Sequence, residues 1–270
     1  MTWMSEAGEL CQSAIRDAVG QSSRGERPHR AGDYSFNNIG LTSFYMLSST
    51  IPAEERMEKG YYEVGGCGAN IEWHSEEDLM HVADMEILLQ DIKVYMTTIL
   101  RVVDSPIHPF CFTKTVEEWI DTLDEYQSLV ADRFSFGLVR KEAEELHLEL
   151  LSFYQQLEAL PTPAILDPAV RVANEIIRRL GRELVPINFS RTGKFRHDLA
   201  IDMPRLPDLA AAQLLSTLTP GTHAYQATLT HLTRGQNRVA WALQRARKLV
   251  KTRLLQQTQK SSSQRGEVAP

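Results

Sequence analysis

The chain has 270 residues, of which 43% are hydrophobic and 24% are charged, and its formal net charge is −6. This composition is ordinary for a globular protein and excludes a collagen-like, a mucin-like or a wholly disordered chain. No run of about 18 apolar residues occurs, so no transmembrane helix is expected, and three scattered cysteines are too few for a disulfide framework. The first 20 residues lack the continuous apolar core of a signal peptide, and the compartment is left open.

The charge is unevenly distributed along the chain. From Arg234 to the end there are nine basic residues and one acidic residue, so this segment carries +8 and residues 1–233 carry −14. An acidic body with a basic C-terminal helix suggests contacts within the chain or between subunits, with nucleic acid as the other interpretation. We rank nucleic acid last, because Trp241 is the one aromatic residue in the basic stretch.

Residues 1–105 mix helical and strand-like patterns. The spacing of apolar residues predicts a helix over 2–20, and the segment 39–47 is apolar almost throughout, which predicts a strand buried on both faces. A glycine-rich loop at 60–68 and a strongly amphipathic helix at 84–103 follow. Because a lone strand cannot satisfy its own hydrogen bonds, we expect this part to be the end of a larger α/β sheet.

Residues 106–258 are predicted to be helical. Gly181 follows one of the helical patterns directly and is predicted to be its C-cap glycine, and residues 259–270 are predicted to be a disordered tail. The predicted fold class is therefore an α/β fragment followed by an α-helical bundle domain, mostly α overall. The predicted helices of the bundle cover 115–133, 138–160, 168–180, 209–218 and 222–255.

His74 is the first candidate site residue. It follows the glycine-rich loop and precedes a run of acids that ends at Asp78. Neutral imidazole is the commonest zinc ligand, and a nearby carboxylate can fix its tautomer. In the alternative interpretation His74 is a surface residue, Ser75 is the N-cap of a helix and Asp78 occupies N3 of a capping box. Both interpretations stay open, since a cap can hold a ligand loop in place.

Asp33 is a second candidate, within the segment Gly32-Asp33-Tyr34-Ser35-Phe36. Its alternative interpretation is a turn or cap residue followed by Phe36 as a core anchor. A catalytic zinc takes about three protein ligands plus water, and the sequence contains neither His-Glu-x-x-His nor a Cys-x-x-Cys pair. One histidine is not a metal site, so His74 would need ligands from elsewhere.

Four features follow one another along the chain: the segment 32–36, Ile-Gly-Leu at 39–41, Trp-His-Ser at 73–75 with Asp78, and then a long apolar helix. In this order they resemble the C-terminal part of the catalytic domain in metallopeptidase family 28. That family includes dinuclear-zinc aminopeptidases, glutamate carboxypeptidase II and the transferrin receptor ectodomain. The resemblance implies the end of an αβα sandwich, with His74 as the last zinc ligand and Asp78 in an orienting role. The resemblance also implies that Asp33 supports the ligand loop. The sequence departs from the family in one place, where Leu-Thr at 41–42 replaces the family's usual Ile-Pro.

The helical region also resembles the dimerisation-type domain that follows the catalytic domain in the carboxypeptidase and transferrin-receptor branch. Three stretches carry this likeness: 184–188, 193–198 and the Asn-Arg pair at 237–238. The likeness implies a homodimer formed through the helical domain.

The family's other zinc ligands and its general-base glutamate lie upstream of the matched region. In an intact member, two zincs activate a water that hydrolyses a peptide bond. The resemblance therefore implies the C-terminal portion of a zinc-dependent exopeptidase with a peptide substrate, inactive as this chain alone. Which end of the peptide is trimmed is left open. The alternative is a non-catalytic interaction module of the transferrin-receptor type.

Overall fold

The computed structural model describes most of the chain. The described ranges are 1–28, 34–46, 53–60, 72, 75–160, 164–165, 167–199 and 202–265, and side chains of the last helix are described as far as Lys251. The chain is mostly helical, as predicted. Its elements, in order, are β1 (Thr2–Trp3), α1 (Gly8–Val19), β2 (Phe44–Tyr45), α2 (Ala53–Lys59), α3 (Met85–Asp104), α4 (Thr113–Val130), α5 (Gly137–Glu158), α6 (Pro168–Phe189), α7 (Ala211–Thr217) and α8 (His223–Arg265).

The N-terminal elements form a small unit around α1. β1 pairs antiparallel with β2, with Trp3 opposite Phe44, and this pairing explains why the helix predicted over 2–20 begins only at Gly8. α3 packs against α1. The core that they share consists of Trp3, Ala7, Cys11, Ile15, Met46 and Val94.

The buried strand predicted over 39–47 is wrong for the part that the structure describes. A 3-10 helix covers Tyr34–Ile39, and the strand that follows has two residues. Leu41 is 53% exposed. The physical cause is local, because Gly40 turns the chain at φ +94° and the Asn37 amide donates to the Leu41 carbonyl and to the Ser43 hydroxyl. Such side-chain bonds stabilise a turn in place of a strand ladder.

Helices α4 to α8, which we call the bundle, pack around one continuous core. α5 and α6 both pack on α8, and α4 packs on α5 and α7. Each helix predicted for this region is present, but the helix predicted over 168–180 extends to Phe189 and the one predicted over 222–255 extends to Arg265. The largest fully buried side chains of the bundle are Trp119, Phe112, Phe136, Phe153, Leu123, Leu146, Leu150, Ile176 and Leu180.

Gly181 is not a C-cap, contrary to the prediction. α6 continues past it and past Pro186 to Phe189. Gly181 instead allows a close approach, because a Cβ there would lie 2.9 Å from the carbonyl oxygen of Gly40. The start of α6 follows the usual chemistry, with the Asp167 side chain accepting a hydrogen bond from the Ala169 N–H at 2.7 Å.

α8 runs through Gly235 without a break. A Cβ on Gly235 would lie 2.6 Å from the carbonyl oxygen of Asp208, so glycine is required there for packing. The backbone of α8 reaches Arg265 and thus overlaps the tail predicted at 259–270. Over the part of the chain that the structure describes, no helix has both the length and the apolar character that crossing a membrane requires.

Candidate functional site

The predicted zinc-ligand loop lies just ahead of α3. His74 and Asp33 fall outside the described residues, so their proposed roles stay predictions. Asp78 is described and exposed, and its N–H donates to the Ser75 carbonyl at 3.3 Å. The acids beside it, Glu76 and Glu77, are also exposed.

Ser75 closes a tight turn in this loop. Its N–H and its hydroxyl both donate to the Glu72 carbonyl, at 2.9 Å and 2.6 Å. The same hydroxyl accepts a hydrogen bond from the Glu77 N–H at 3.2 Å. These bonds join the described residues on either side of positions 73 and 74, and they make Ser75 a turn residue.

The helix after the loop has a different cap. Asp84 is the N-cap of α3, and its carboxylate accepts from the N–H groups of Glu86 and Ile87 at 2.8 Å and 2.9 Å. A short 3-10 helix, Met80–Val82, separates this cap from the turn at Ser75. The alternative in which Ser75 and Asp78 form a capping box is therefore wrong.

The segment after Asp33 also differs from its alternative interpretation. Phe36 is 37% exposed and is not a core anchor. The buried residues are the two asparagines that follow it, and the Asn38 amide donates to the Arg196 carbonyl at 2.8 Å. This segment is held to the loop after α6 by polar contacts.

Within the described ranges, no three His, Cys, Asp or Glu side chains come together as a metal-binding group. These residues alone do not fit a zinc centre, and we derive no zinc-dependent step from them.

A cleft of about 1220 Å³ lies between the N-terminal unit and the bundle. It contains charged residues that the sequence analysis did not single out. Four of them line it close together in the fold: Glu6, Arg27, Glu118 and Arg205. Glu118 accepts hydrogen bonds from the Ser5 hydroxyl at 2.6 Å and from Arg205 at 3.2 Å.

Glu6 is a buried carboxyl group, 3% exposed. Its two oxygens accept hydrogen bonds from the hydroxyls of Thr42 and Thr115, at 2.9 Å and 3.1 Å. Burial raises the pKa of Glu6, although these hydrogen bonds and the charge of Arg27 act in the opposite direction. Glu6 lies in a short 3-10 helix, Ser5–Ala7. Its hydrogen bonds thus link this helix to the segment before β2 and to α4.

Arg27 is a partly buried cation of the same cleft. Its Nε donates to the Met203 carbonyl at 2.8 Å, another guanidinium nitrogen donates to the Asn188 carbonyl at 2.5 Å, and the group stacks 3.8 Å above the Phe189 ring. Burial lowers the pKa of Arg27 to about 9. These contacts fix the loop after α1 on the end of α6.

These four charged groups therefore bond to one another, to hydroxyl groups or to the backbone, and their arrangement joins the two parts of the chain. An acid that closely follows two large apolar residues, Trp3 and Met4, is a signal that could have identified Glu6. No comparable signal in the sequence marks Arg27. It lies in a polar loop, and the residues that accept its hydrogen bonds are more than 150 positions away along the chain.

Four basic residues of α8 are paired with acids of the body. Arg238 contacts Asp208 at 2.7 Å, and Arg245 contacts Glu183 at 2.7 Å. Arg247 and Lys251 face α5, where three glutamates, Glu142, Glu145 and Glu149, receive them. The predicted contacts within the chain between a basic helix and an acidic body are confirmed.

Comparison of the sequence with protein-family models gives no match, and comparison with curated proteins gives none either. The likeness to metallopeptidase family 28 therefore rests on the motifs quoted above. It stays a hypothesis about residues 32–41 and 73–78.

Proposed function

We propose that this chain is the C-terminal portion of a zinc-dependent exopeptidase of the aminopeptidase type. The observation that carries the proposal is the order and spacing of the motifs at 32–36, 39–41 and 73–78, followed by the long helix α3. In an intact parent, two zincs would supply a metal-activated water for peptide-bond hydrolysis. His74 would be one of the ligands of this pair.

The other residues of the loop would have a supporting role. Ser75 bonds to Glu72 and Glu77, which lie on both sides of position 74. Asp84 caps the start of α3 a short distance further on. A metal site gains affinity when the residues around its ligands are restrained, which supports the proposal. Asp78 and Asp33 would orient the ligand loop.

The chain supplies one zinc ligand of the several that a catalytic site needs, so we expect it to be inactive alone. The decisive comparison is between this chain and a longer version extended upstream in its gene. We expect two zincs per molecule and aminopeptidase activity in the longer version, and neither in the 270-residue chain. Stoichiometric zinc and peptide cleavage by the short chain alone would contradict the proposal.

Within the longer version, His74→Ala should lower the zinc content and reduce kcat by several orders of magnitude. The matched control is His81→Ala, because His81 is an exposed histidine of the 3-10 helix in the same segment. His81→Ala should leave zinc content and kcat unchanged. Equal effects of the two substitutions would remove His74 from the site.

A second candidate function is a non-catalytic interaction module of the transferrin-receptor type. The observation that favours it is the continuous core shared by α4, α5, α6 and α8, to which none of the described residues between 72 and 78 belongs. Such a bundle could form a homodimer through its outer face. A longer version that forms a dimer but binds no zinc would favour this candidate over the peptidase.

A further inference from the structure

α3 packs on α1 with one face and exposes a large apolar face on the opposite side. On one face Val94, 2% exposed, packs on α1 together with the buried residues Asp91 and Thr98. The opposite face carries eight large apolar side chains, each between 47% and 75% exposed, which we name the α3 stripe: Met85, Leu88, Leu89, Ile92, Met96, Ile99, Leu100 and Val103. A contiguous exposed apolar patch of this kind is typical of a surface that contacts a partner.

The α3 stripe has the same pattern when read from either end. Each member that precedes Val94 has a counterpart at the same separation after it. The pairs are Met85 with Val103, Leu88 with Leu100, Leu89 with Ile99, and Ile92 with Met96. With about 100° of rotation per residue, all eight lie within about 60° of the point opposite Val94.

This symmetry is what an isologous contact requires, because in a two-fold dimer the same surface must fit itself. If the axis passes at the level of Val94 and the helices are antiparallel, Ile92 meets the partner's Met96. Every apolar side chain of the α3 stripe then faces an apolar side chain of the second copy. We propose that two copies of this chain associate through the α3 stripe as an antiparallel helix pair.

The size of the stripe sets the strength of the association. α3 has 20 residues, so it is about 30 Å long and about 10 Å wide. The stripe therefore presents on the order of 300 Å², at the lower end of the roughly 300–600 Å² that the largest apolar patch of a typical monomer covers. The dimer buries about twice this area, which is below the roughly 1,200 Å² of stable complexes. The dimer is consequently weak, reversible and dependent on concentration.

This association is proposed for the 270-residue chain and uses a different surface from a dimer through the helical bundle. α5 exposes its own apolar residues, Leu148 at 66% and Leu151 at 47%. These two residues provide a matched control, since they are also exposed leucines on a long helix. Their substitution tests the bundle surface without touching α3.

The experiment is sedimentation equilibrium on the full 270-residue chain from about 1 to about 200 μM, a range centred on the affinity of weak interfaces. We expect a reversible monomer–dimer equilibrium with a Kd in the micromolar range. Ile92→Glu with Met96→Glu should raise the Kd more than tenfold. Leu148→Glu with Leu151→Glu should leave it unchanged. Circular dichroism establishes that each variant keeps its helices.

A charge-pair experiment tests the antiparallel register. A chain with Ile92→Lys and Met96→Lys should be monomeric alone, as should the chain with both glutamates. Because position 92 faces the partner's position 96, a mixture of the two should dimerise. Any of three results would overturn the proposal: a native chain that is monomeric throughout, a dimer abolished by the α5 substitutions but not by the α3 substitutions, or a mixture that stays monomeric.

Discussion

Gly40 and Gly181 bring the N-terminal unit and the bundle into direct backbone contact. A Cβ on Gly181 would lie 2.9 Å from the Gly40 carbonyl oxygen, and a Cβ on Gly40 would lie 2.4 Å from the Cα of Arg182. Gly40 also has φ +94°, a conformation that favours glycine. The loop after the 3-10 helix Tyr34–Ile39 can lie on α6 only because both positions lack a side chain.

We expect Gly181→Ala to destabilise the chain, although alanine is the better helix former by about 1 kcal/mol. The added methyl group meets backbone and not a flexible side chain, and overpacking of this kind costs about 1–3 kcal/mol. Gly40→Ala should cost more, because it adds the strain of a positive φ to a closer clash. Urea denaturation gives the free energy of unfolding for each variant.

Gly137→Ala is the matched control. Gly137 is the first residue of α5, and a Cβ there would meet only the Ser135 hydroxyl, at 3.4 Å. This substitution should be neutral or slightly stabilising. If Gly181→Ala were as harmless as Gly137→Ala, the backbone contact with Gly40 would not contribute to stability.

The same pair of glycines shows where sequence reasoning fails. The helices of the bundle and α3 could be predicted, because their apolar spacing is a local property of the chain. The role of Gly181 could not be predicted, because it depends on contact with a loop about 140 positions away. In the local sequence, a glycine that follows an apolar helical pattern is indistinguishable from a C-cap glycine. The strand predicted over 39–47 fails for a related reason, since the bonds of Asn37 and the turn at Gly40 override apolar composition.

Replacement of Glu6 by glutamine should change how stability depends on pH. Burial raises the pKa of Glu6 above its ordinary value of 4.5, so the folded chain holds this proton more tightly than the unfolded chain does. The contribution of this proton to the unfolding free energy is complete below pH 4.5, and it is lost as the pH rises through the pKa that Glu6 has in the folded chain. Glutamine does not titrate, so the unfolding free energy of Glu6→Gln should rise relative to the native chain with increasing pH.

Denaturation at about pH 4 and about pH 8 measures this change. Glu9→Gln is the control, because Glu9 is an exposed carboxyl group on α1 and its removal changes the net charge equally. A stability difference between Glu6→Gln and the native chain that stays constant with pH would show that Glu6 does not titrate differently on folding.

Arg247→Met should be destabilising. Arg247 is 17% exposed and contacts three glutamates of α5, among them Glu149 at 3.1 Å. Because the network is only partly buried, we expect a cost between the about 0–1 kcal/mol of an exposed pair and the about 3–5 kcal/mol of a buried pair that loses one partner. Burial acts to raise the pKa of Glu142, but hydrogen bonds from Gln244 and Arg247 hold this pKa below its ordinary value. The effect of Arg247→Met should therefore diminish as the pH falls below about 4.5.

Arg234→Met on the same helix is the control, since Arg234 is exposed. An exposed charge contributes about 0–1 kcal/mol, so this variant should unfold close to the native midpoint. Equal destabilisation by the two substitutions would mean that the glutamates of α5 do not depend on Arg247.

The two acids near the proposed zinc-ligand loop, Asp78 and Asp84, should differ in their effects on stability and on zinc binding. Asp84→Ala removes the side chain that caps α3 and should cost about 1 kcal/mol of unfolding free energy. Asp78→Ala should change stability by less than about 0.5 kcal/mol, because Asp78 is exposed and its bond to Ser75 uses a backbone N–H that alanine keeps.

The functional effects should follow the reverse order. If Asp78 orients His74 in the longer protein, Asp78→Ala should weaken zinc binding there by about 10–100-fold, as loss of an outer-shell partner does, whereas Asp84→Ala should act mainly on stability. Zinc titration and thermal unfolding of the two variants distinguish these roles. An Asp78→Ala variant with native zinc affinity would leave Asp78 as an exposed turn residue, with no orienting role in a metal site.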